Sequence, residues 1–250
     1  MRPLDLIADL RSKDKPSLAN SSNNNKTFYG IDDPRGLLLS FVFAPVYLYA
    51  TVKGKHDFWD HTLSALPDST FHGSSLDMGC GRGLVLVKVA ARKRSLHRTG
   101  PEMIRPEDCL TYGIDIFNSS DQSGNSPGAL YANVKGLNLV DTVVAHRASF
   151  TDPLPFSDNY FSLVTASLSL HNVSSTSRKT AIREACRVCK PGGTIVILDL
   201  LGYVADYEAE IKDQGWIEVE RRFAGFGVVF GSWPTQVLRA IKPGVQTLQA

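Results

Sequence analysis

Short apolar runs alternate with amphipathic stretches along residues 74–242, and this alternation predicts a regular succession of strands and helices. The apolar runs predict strands at 74–79, 110–116, 142–148, 161–168, 194–201, 216–223 and 235–242. The amphipathic stretches predict helices at 83–95, 126–137, 177–189 and 203–214. Such an alternation predicts an α/β fold, with a seven-stranded, mostly parallel sheet and helices on both faces.

Two glycine-rich segments interrupt this pattern. Pro191-Gly192-Gly193 predicts a sharp stop between a helix and the strand after it. The last two strands are joined by Phe226–Pro234, which is too rich in glycine for a helix. We therefore expect these strands to form an antiparallel hairpin at one edge of the sheet.

The N-terminal part of the chain differs from the rest. Residues 1–26 are polar and predict a flexible tail, whereas residues 36–52 are apolar and uncharged. A membrane-spanning helix needs about 20 apolar residues, so three interpretations stay open: a buried cap over the active site, an interfacial membrane contact, or a span. The predicted division is 1–26 tail, 27–72 cap or membrane contact, 73–243 α/β domain, and 244–250 tail.

The charge and the cysteine content of the chain restrict its class of function and its compartment. A net charge of +2 gives no reason to expect nucleic acid, and the cluster Arg92-Lys93-Arg94 with Arg98 is typical of a solvated helix end. Four cysteines are too few for a disulfide framework, which indicates a reducing, cytoplasmic compartment, with membrane association left open. Cys186 and Cys189 are expected on the inner face of one helix, and no second pair of ligands supports a metal site.

The stretch Leu76-Asp77-Met78-Gly79-Cys80-Gly81-Arg82-Gly83 carries the strongest chemical signal. It follows the first strand, where ligands bind in open α/β sheets, and its glycines let a ligand lie against the main chain. Asp77 would repel a pyrophosphate but suits a ligand with a positive end. The glycine spacing also differs from Gly-x-Gly-x-x-Gly, which disfavours a nicotinamide dehydrogenase.

A second carboxylate, Asp115, ends the second predicted strand in Tyr112-Gly-Ile-Asp-Ile-Phe117. An acid at that position accepts the hydroxyls of a ribose. A carboxylate for a cationic group, a second one for a ribose and a glycine-rich turn between them indicate S-adenosylmethionine as the cofactor.

Four stretches, in this order, resemble the class I (Rossmann-like) S-adenosylmethionine-dependent methyltransferases, in the broad group of the ubiquinone-biosynthesis and type 11 enzymes. They are "LDMGCGRG", "YGIDIF", "DPLPFSDNYFSLVTASLSLHNV" and "CRVCKPGGTIVILDL", and the resemblance covers about residues 74–242. Three further stretches resemble a subgroup whose bacterial members carry apolar N-terminal segments: "FYGIDDPRGLLL", "GIDIFNSSDQSGN" and "FGSWPTQVLRAIKP".

The resemblance implies a set of cofactor-binding residues. It places Asp77, Gly79, Cys80, Gly81 and Gly83 around the methionine part, Asp115 at the ribose, Ile116 beside the adenine, and Ser167 and Leu168 on the methyl-donor side. Phe150 stands where the family commonly has an aspartate near the adenine amino group. Thr151 or Asp152 could take that contact, or Phe150 could stack on the ring.

His171 is the candidate general base, because it follows the fourth strand and so lies near the methyl group. A catalytic role, lining of the substrate pocket and a structural role all stay open for it. His56, Trp59 and His61 could close the pocket from above. The expected function is methylation of a small hydrophobic molecule or lipid. The alternatives are a nicotinamide dehydrogenase and an inactive scaffold that binds the cofactor, with tethering to a membrane left open.

Overall fold

The computed structural model describes residues 44–99, 110–118, 124–230 and 233–244. Its helices are α1 (Ala44–Tyr49), α2 (Lys55–Ser64), α3 (Leu84–Thr99), α4 (Pro127–Gly136), α5 (Ser175–Val188) and α6 (Val204–Asp213). Its strands are β1 (Ser75–Met78), β2 (Thr111–Asp115), β3 (Val143–Arg147), β4 (Phe161–Ser167), β5 (Cys189–Leu200), β6 (Glu218–Phe223), β7 (Val229–Phe230) and β8 (Trp233–Ile241). A π-helical turn, Ala50–Gly54, joins α1 to α2.

The strands form one sheet in the order β3-β2-β1-β4-β5-β8-β6. Strands β1 to β5 are parallel, whereas β8 runs antiparallel to both β5 and β6. The predicted α/β sheet with an antiparallel C-terminal hairpin is therefore confirmed. The glycine-rich segment before β8 contributes an additional two-residue strand, β7, which pairs with β8. Strand order reverses between β1 and β4, and this reversal defines the crevice where a ligand is expected.

Helices cover both faces of the sheet. On one face, α5 and α6 pack on the apolar side chains of β1, β2 and β5. On the other face, α2 and α3 pack on β4, β5 and β8 through a cluster that includes Trp59, Leu63, Phe71 and Leu163. All residues of β1 and β2 are buried, as expected for parallel strands that are covered on both faces.

Local capping fixes where two helices begin. The Ser126 hydroxyl accepts from the amide of Ala129 at 3.1 Å, and Pro127 occupies the first turn of α4. The Ser174 hydroxyl accepts from the amide of Ser177 at 3.2 Å before α5. Such side-chain caps satisfy amides that have no partner inside the helix.

The predicted stop at Pro191-Gly192-Gly193 is wrong, because β5 already begins at Cys189. The amide of Gly192 donates to the carbonyl of Lys242 at 2.9 Å, and the amide of Lys242 donates back to Gly193 at 2.9 Å. Pairing with the chain after β8 thus holds this segment in the sheet. The parallel ladder skips it, passing from Phe161–Cys189 to Leu163–Thr194, so the segment forms an irregular excursion.

Cys189 therefore lies in a strand and not on the helix that carries Cys186. Both side chains are buried, and burial raises the pKa of each thiol to about 12. Both thiols therefore stay protonated and pack as small apolar groups.

The basic cluster is not wholly solvated. Lys93 is completely buried, and its ammonium donates to the carbonyls of Gly73 and Leu110. It lies on the same face of α3 as Val89 and Ala90, four and three residues earlier, which explains its burial. Arg92 and Arg94 do reach the surface, where they pair with Asp68 and Asp141.

Only part of the apolar N-terminal run falls within the described residues. The predictions for residues 1–43 lie outside them. Leu48, Tyr49 and Val52 are exposed. The π-helical turn approaches the loop before β7 so closely that a Cβ on Gly54 would stand 1.8 Å from the carbonyl oxygen of Gly227. No helix in the described part of the chain is both long and apolar enough to cross a membrane. The division into cap, domain and tails stays a prediction.

Candidate cofactor site

A cavity of about 290 Å³ opens at the carboxyl ends of β1, β2 and β4, where the strand order reverses. The glycine-rich turn after β1 forms its floor, and the ends of β2 and β4 form two walls. Lys55 from α2 and Phe230 from β7 line it as well. The cavity therefore lies where α/β sheets bind their ligands.

The glycine-rich turn has a backbone that other residues adopt only with strain. Gly79, Gly81 and Gly83 have φ angles of 70°, 51° and 89°. A Cβ on Gly79 would stand 2.3 Å from the Cβ of Ser169, and one on Gly83 would stand 2.3 Å from the Leu130 side chain. The turn therefore needs glycine for packing as well as for the approach of a ligand.

Asp77 lies beside this turn on the wall of the cavity and is almost completely buried. The Thr165 hydroxyl donates to its Oδ1 at 2.7 Å. Burial raises the pKa of the Asp77 carboxyl to about 7, and the negative charge of Asp115 contributes in the same direction. A cationic ligand group would restore the ionised form, because an opposite charge favours ionisation.

Asp115 closes β2 and receives three hydrogen bonds. Its Oδ2 accepts from the amide of Gly81 at 2.8 Å, and its Oδ1 accepts from the amide of Phe117 at 2.5 Å. The side-chain amide of Asn125 also donates to Oδ1, at 3.2 Å. Asp115 thus ties the glycine-rich turn to the end of β2 and to the loop before α4, and it fixes Phe117 at a φ of 54°.

The end of β4 forms the opposite wall. Leu168 adopts a φ of 52°, and Trp59 in α2 donates its indole N–H to the Ser167 hydroxyl at 3.0 Å. Strained non-glycine residues cluster at functional sites, since the surrounding structure must stabilise them. The contact with Trp59 links the N-terminal helices to the site without placing the indole on the cavity wall.

Most of the sequence-predicted cofactor residues meet at this cavity. Its wall includes Asp77, Gly79, Cys80, Gly81, Asp115, Ile116, Phe150, Ser167 and Leu168. Gly83 and Thr151 do not line it. Gly83 precedes α3, while the Thr151 hydroxyl lies 2.6 Å from the hydroxyl of Ser149, which does line the cavity. The individual roles in binding stay predictions.

Cys80 lies in the glycine-rich turn, and its side chain is buried. Burial raises the pKa of the Cys80 thiol well above its usual value, and Cys80 packs over Gly113. Its thiol therefore stays protonated. Of the residues expected to close the pocket, Trp59 is buried in the core and His61 is exposed, and neither these two nor His56 lines the cavity.

His171 lies just outside the cavity. Its Nδ1 is 2.6 Å from Oδ1 of Asp199, a carboxylate with no exposed surface, and its backbone amide donates to Oδ2 at 3.1 Å. The ring of Phe230 lies 5.2 Å from the imidazole, and it is Phe230 that lines the cavity. The structure therefore gives His171 an orienting carboxylate but covers it with an aromatic ring.

Sequence reasoning missed several residues of the wall, among them Lys55, Asn125 and Phe230. Lys55 follows the apolar run 36–52, where a lysine is expected to reach solvent, but it is buried. Phe230 belongs to the two-residue strand β7. Asn125 ends a polar loop whose composition suggests only a turn. None of the three shows a periodic or spaced signal in the sequence.

The cavity suits a nucleoside that carries a free amino acid, such as S-adenosylmethionine. The buried Asp77 carboxyl has a raised pKa, which a cationic ligand group would lower. The carboxylate of Asp115 lies at the end of β2, and the side-chain oxygen of Asn125 is buried without a hydrogen-bond partner. In the part of the chain that the structure describes, no cluster of three or more His, Cys, Asp or Glu side chains could hold a metal ion.

Comparison with known proteins agrees with this site. Residues 76–197 match the family described as "Methyltransferase domain", type 11. The chain is 50% identical over 48 residues to the ubiquinone/menaquinone biosynthesis C-methyltransferase UbiE of Neisseria meningitidis, a match that covers 19% of each protein. It is 24% identical over 164 residues to the UbiE of Geotalea daltonii, covering 61% of each. These matches span less than two thirds of either relative.

The fold has counterparts among solved structures. A geranyl diphosphate methyltransferase in complex with S-adenosylmethionine superimposes with a TM-score of 0.54 at 15% identity, covering 86% of this chain and 97% of that one. Identity at this level shows a shared fold alone. The family match over residues 76–197, the sheet order and the cavity together support a class I, Rossmann-like S-adenosylmethionine-dependent methyltransferase of the type 11 group.

Proposed function

We propose that the protein transfers a methyl group from S-adenosylmethionine to a small hydrophobic molecule or lipid. The observation that carries this proposal is the cavity at the strand-order reversal, with Asp77 and Asp115 on its wall. The two kinds of relative support the hydrophobic acceptor, since one is named for ubiquinone and menaquinone biosynthesis and the other for geranyl diphosphate.

The chain's own residues bind and orient in this proposal. S-adenosylmethionine supplies a methyl group on a sulfonium, which is already activated for displacement. Asp77 holds the cationic amino-acid end, and Asp115 accepts a hydroxyl of the ribose. The backbone of Gly79 and Gly81 lets the ligand lie close to the main chain. Holding the acceptor in line with the methyl group is then the largest contribution to the rate.

The acceptor is proposed to lie on the apolar side of the cavity. Val173 and Phe230 line it there, and Leu168 stands at the end of β4 between this side and the glycine-rich turn. Apolar walls exclude water and suit a hydrophobic acceptor. Because specificity depends on such loops and not on the fold, this region is where the acceptor would be recognised.

We assign His171 as the base for an acceptor that must lose a proton. Asp199 binds Nδ1 and so leaves Nε2 for the acceptor, which is the arrangement that orients a catalytic imidazole. This role requires the Phe230 ring to move aside. His171→Gln should lower kcat at least about 100-fold with an unchanged affinity for S-adenosylhomocysteine. An unchanged kcat would leave His171 with a structural role.

A membrane surface is the proposed partner. Six large apolar side chains are exposed on the segment 48–52 and on the neighbouring segment 223–233: Leu48, Tyr49, Val52, Phe223, Phe226 and Trp233. No acidic residue occurs within either segment, and aromatic rings with a polar edge favour the membrane interface. Phe226→Ser with Trp233→Ser should reduce co-sedimentation with anionic lipid vesicles several-fold, whereas the exposed Ile217→Ser should not. Equal sedimentation of both variants would contradict this partner.

The test of the activity uses radiolabelled methyl groups. Purified protein, S-adenosylmethionine labelled in the methyl group and a lipid extract should yield labelled product, and Asp115→Ala should abolish it. Tight binding of the cofactor without labelling of any lipid or polar extract would support the alternative of an inactive scaffold.

A further inference from the structure

Asn125 combines burial, a fixed orientation and an unused hydrogen-bonding atom. It stands directly before the N-cap of α4, exposes only 6% of its surface and lines the cavity. Its side-chain nitrogen donates to Oδ1 of Asp115 at 3.2 Å and to the carbonyl of Asn118 at 3.4 Å. Its Oδ1 has no hydrogen-bond partner.

The two partners determine which way the amide points. A carboxylate and a carbonyl only accept hydrogen bonds at neutral pH, so the nitrogen must face both of them. A flipped amide would set its oxygen against the carboxylate of Asp115. The orphaned atom is therefore the oxygen, and a buried acceptor without a partner costs about 1–3 kcal/mol. Such a cost is removed when a ligand supplies a donor.

We propose that Asn125 is a second ribose-binding residue, whose Oδ1 accepts the hydrogen bond of one ribose hydroxyl while Asp115 accepts the other. The inference rests on the cofactor site proposed above. The neighbouring carboxylate is the ribose acceptor, so a hydroxyl of the same ribose is the donor within reach of Asn125. The ammonium end of the cofactor faces Asp77, on the other side of the glycine-rich turn.

An amide suits this place better than a third acid. Burial raises the pKa of Asp77, and repulsion by the charge of Asp115 adds to this shift. A neutral acceptor binds a hydroxyl without adding charge, and the same side chain donates to Asp115 and so holds that carboxylate in place. Asn125 thereby makes the site selective for a nucleoside that carries both hydroxyls.

The test combines removal of the Asn125 side chain with removal of each ribose hydroxyl of the ligand. Binding of S-adenosylhomocysteine, its 2′-deoxy analogue and its 3′-deoxy analogue is measured by calorimetry on wild type, Asn125→Ala and Asn125→Leu. Both variants should bind S-adenosylhomocysteine about tenfold more weakly. One of the two deoxy analogues should bind wild type and variants within about twofold, because it lacks the hydroxyl that Asn125 contacts.

Two results would overturn the proposal. Equal weakening for all three ligands would show that Asn125 acts only by holding Asp115, and unchanged binding of S-adenosylhomocysteine would show that it does not act at all. Asn133→Ala is the matched control, since this buried amide donates to the carbonyl of Arg82 and does not line the cavity. Failure of folded wild type to bind S-adenosylhomocysteine would instead contradict the cofactor site itself.

Discussion

The two ends of the parallel strands, the amino edge and the carboxyl edge, differ in how their buried charged groups are paired. At the amino edge, buried or half-buried ammonium groups are saturated by acceptors: Lys93 donates to the carbonyls of Gly73 and Leu110, and Lys242 donates to the carbonyls of Cys186 and Cys189 and to Asn159. Each charge there has several partners within the chain. This edge contributes stability.

At the carboxyl edge the polar groups are left partly unsatisfied. Asp77 is buried near a second carboxylate, the oxygen of Asn125 has no partner, and Leu168 and Phe117 have positive φ angles. These features cost free energy in the protein alone and are compensated when a ligand binds. The amino edge therefore contributes mainly to stability and the carboxyl edge mainly to binding. Substitutions at the amino edge should lower stability and leave affinity unchanged, whereas substitutions at the carboxyl edge should lower affinity and leave stability unchanged or raised.

The largest effect on stability is expected at the amino edge. Lys93→Met removes the donor to two buried carbonyls and should lower the free energy of unfolding by about 3 kcal/mol. Chemical denaturation monitors this change, and the affinity for S-adenosylhomocysteine should stay within about twofold. Lys135→Met, on the exposed side of α4, is the control and should change stability by less than about 0.5 kcal/mol. A Lys93→Met variant as stable as wild type would contradict the claim that the amino edge contributes stability.

At the carboxyl edge, Asp77→Asn should have the opposite effect on stability. The carboxyl has a pKa of about 7 in the folded protein and 3.8 as its reference value, so ionisation destabilises the fold by up to about 4 kcal/mol at high pH. The stability of the variant relative to wild type should therefore rise as pH rises from about 4 to 7 and then level off. Loss of the carboxylate that accepts from Thr165 offsets about half of the 4 kcal/mol, so the variant should be about 2 kcal/mol more stable at pH 8. Denaturation across this pH range, with exposed Asp152→Asn as control, measures it.

Binding should respond to the same titration. If S-adenosylhomocysteine binds the ionised form of Asp77, its affinity should rise about eightfold from pH 6 to pH 7.5, since the protonated fraction falls over that interval. Calorimetry at pH 6 in two buffers of different ionisation enthalpy should show release of nearly one proton. Asp77→Asn should bind weakly and release none. Release of the same proton by the variant would assign it to another group.

The smallest effect concerns backbone strain at the carboxyl edge. Leu168→Gly removes the penalty of a φ of 52° and should raise the free energy of unfolding by about 0.5 kcal/mol, while weakening the apolar wall of the cavity. Asn138→Gly relieves a similar φ of 55° far from the site and should gain less, because asparagine tolerates this conformation. Thermal unfolding of both variants gives the difference.

The secondary structure could be predicted because burial and periodicity agree along most of the chain. Strands β1, β2 and β4 are short buried runs bounded by glycines and polar loops, and each lies within two residues of its expected ends. Pro191-Gly192-Gly193 misled the prediction, since pairing with the chain after β8 overrides its turn propensity. Lys93 was predicted to lie at a solvated helix end because of its charge. Its spacing of four residues from Val89 places it on the buried face of α3 instead.

The site was predictable only where its residues follow a strand. Asp77 and Asp115 come directly at strand ends, so topology alone brings them together. Asn125, Lys55 and Phe230 reach the cavity from a loop, a helix start and a two-residue strand, whose positions depend on tertiary packing. His171 shows the reverse case: its position in the chain suggested that it lines the cavity, but Phe230, 5.2 Å from its ring, lines the cavity instead.

The central claim, that the carboxyl edge binds S-adenosylmethionine through its two carboxylates, is tested most directly by calorimetry on wild type and Asp115→Ala. S-adenosylhomocysteine should bind wild type with a micromolar dissociation constant, and the substitution should weaken it at least tenfold, by about 1.4 kcal/mol. Folded wild type without detectable binding, or an Asp115 variant of equal affinity, would contradict the claim.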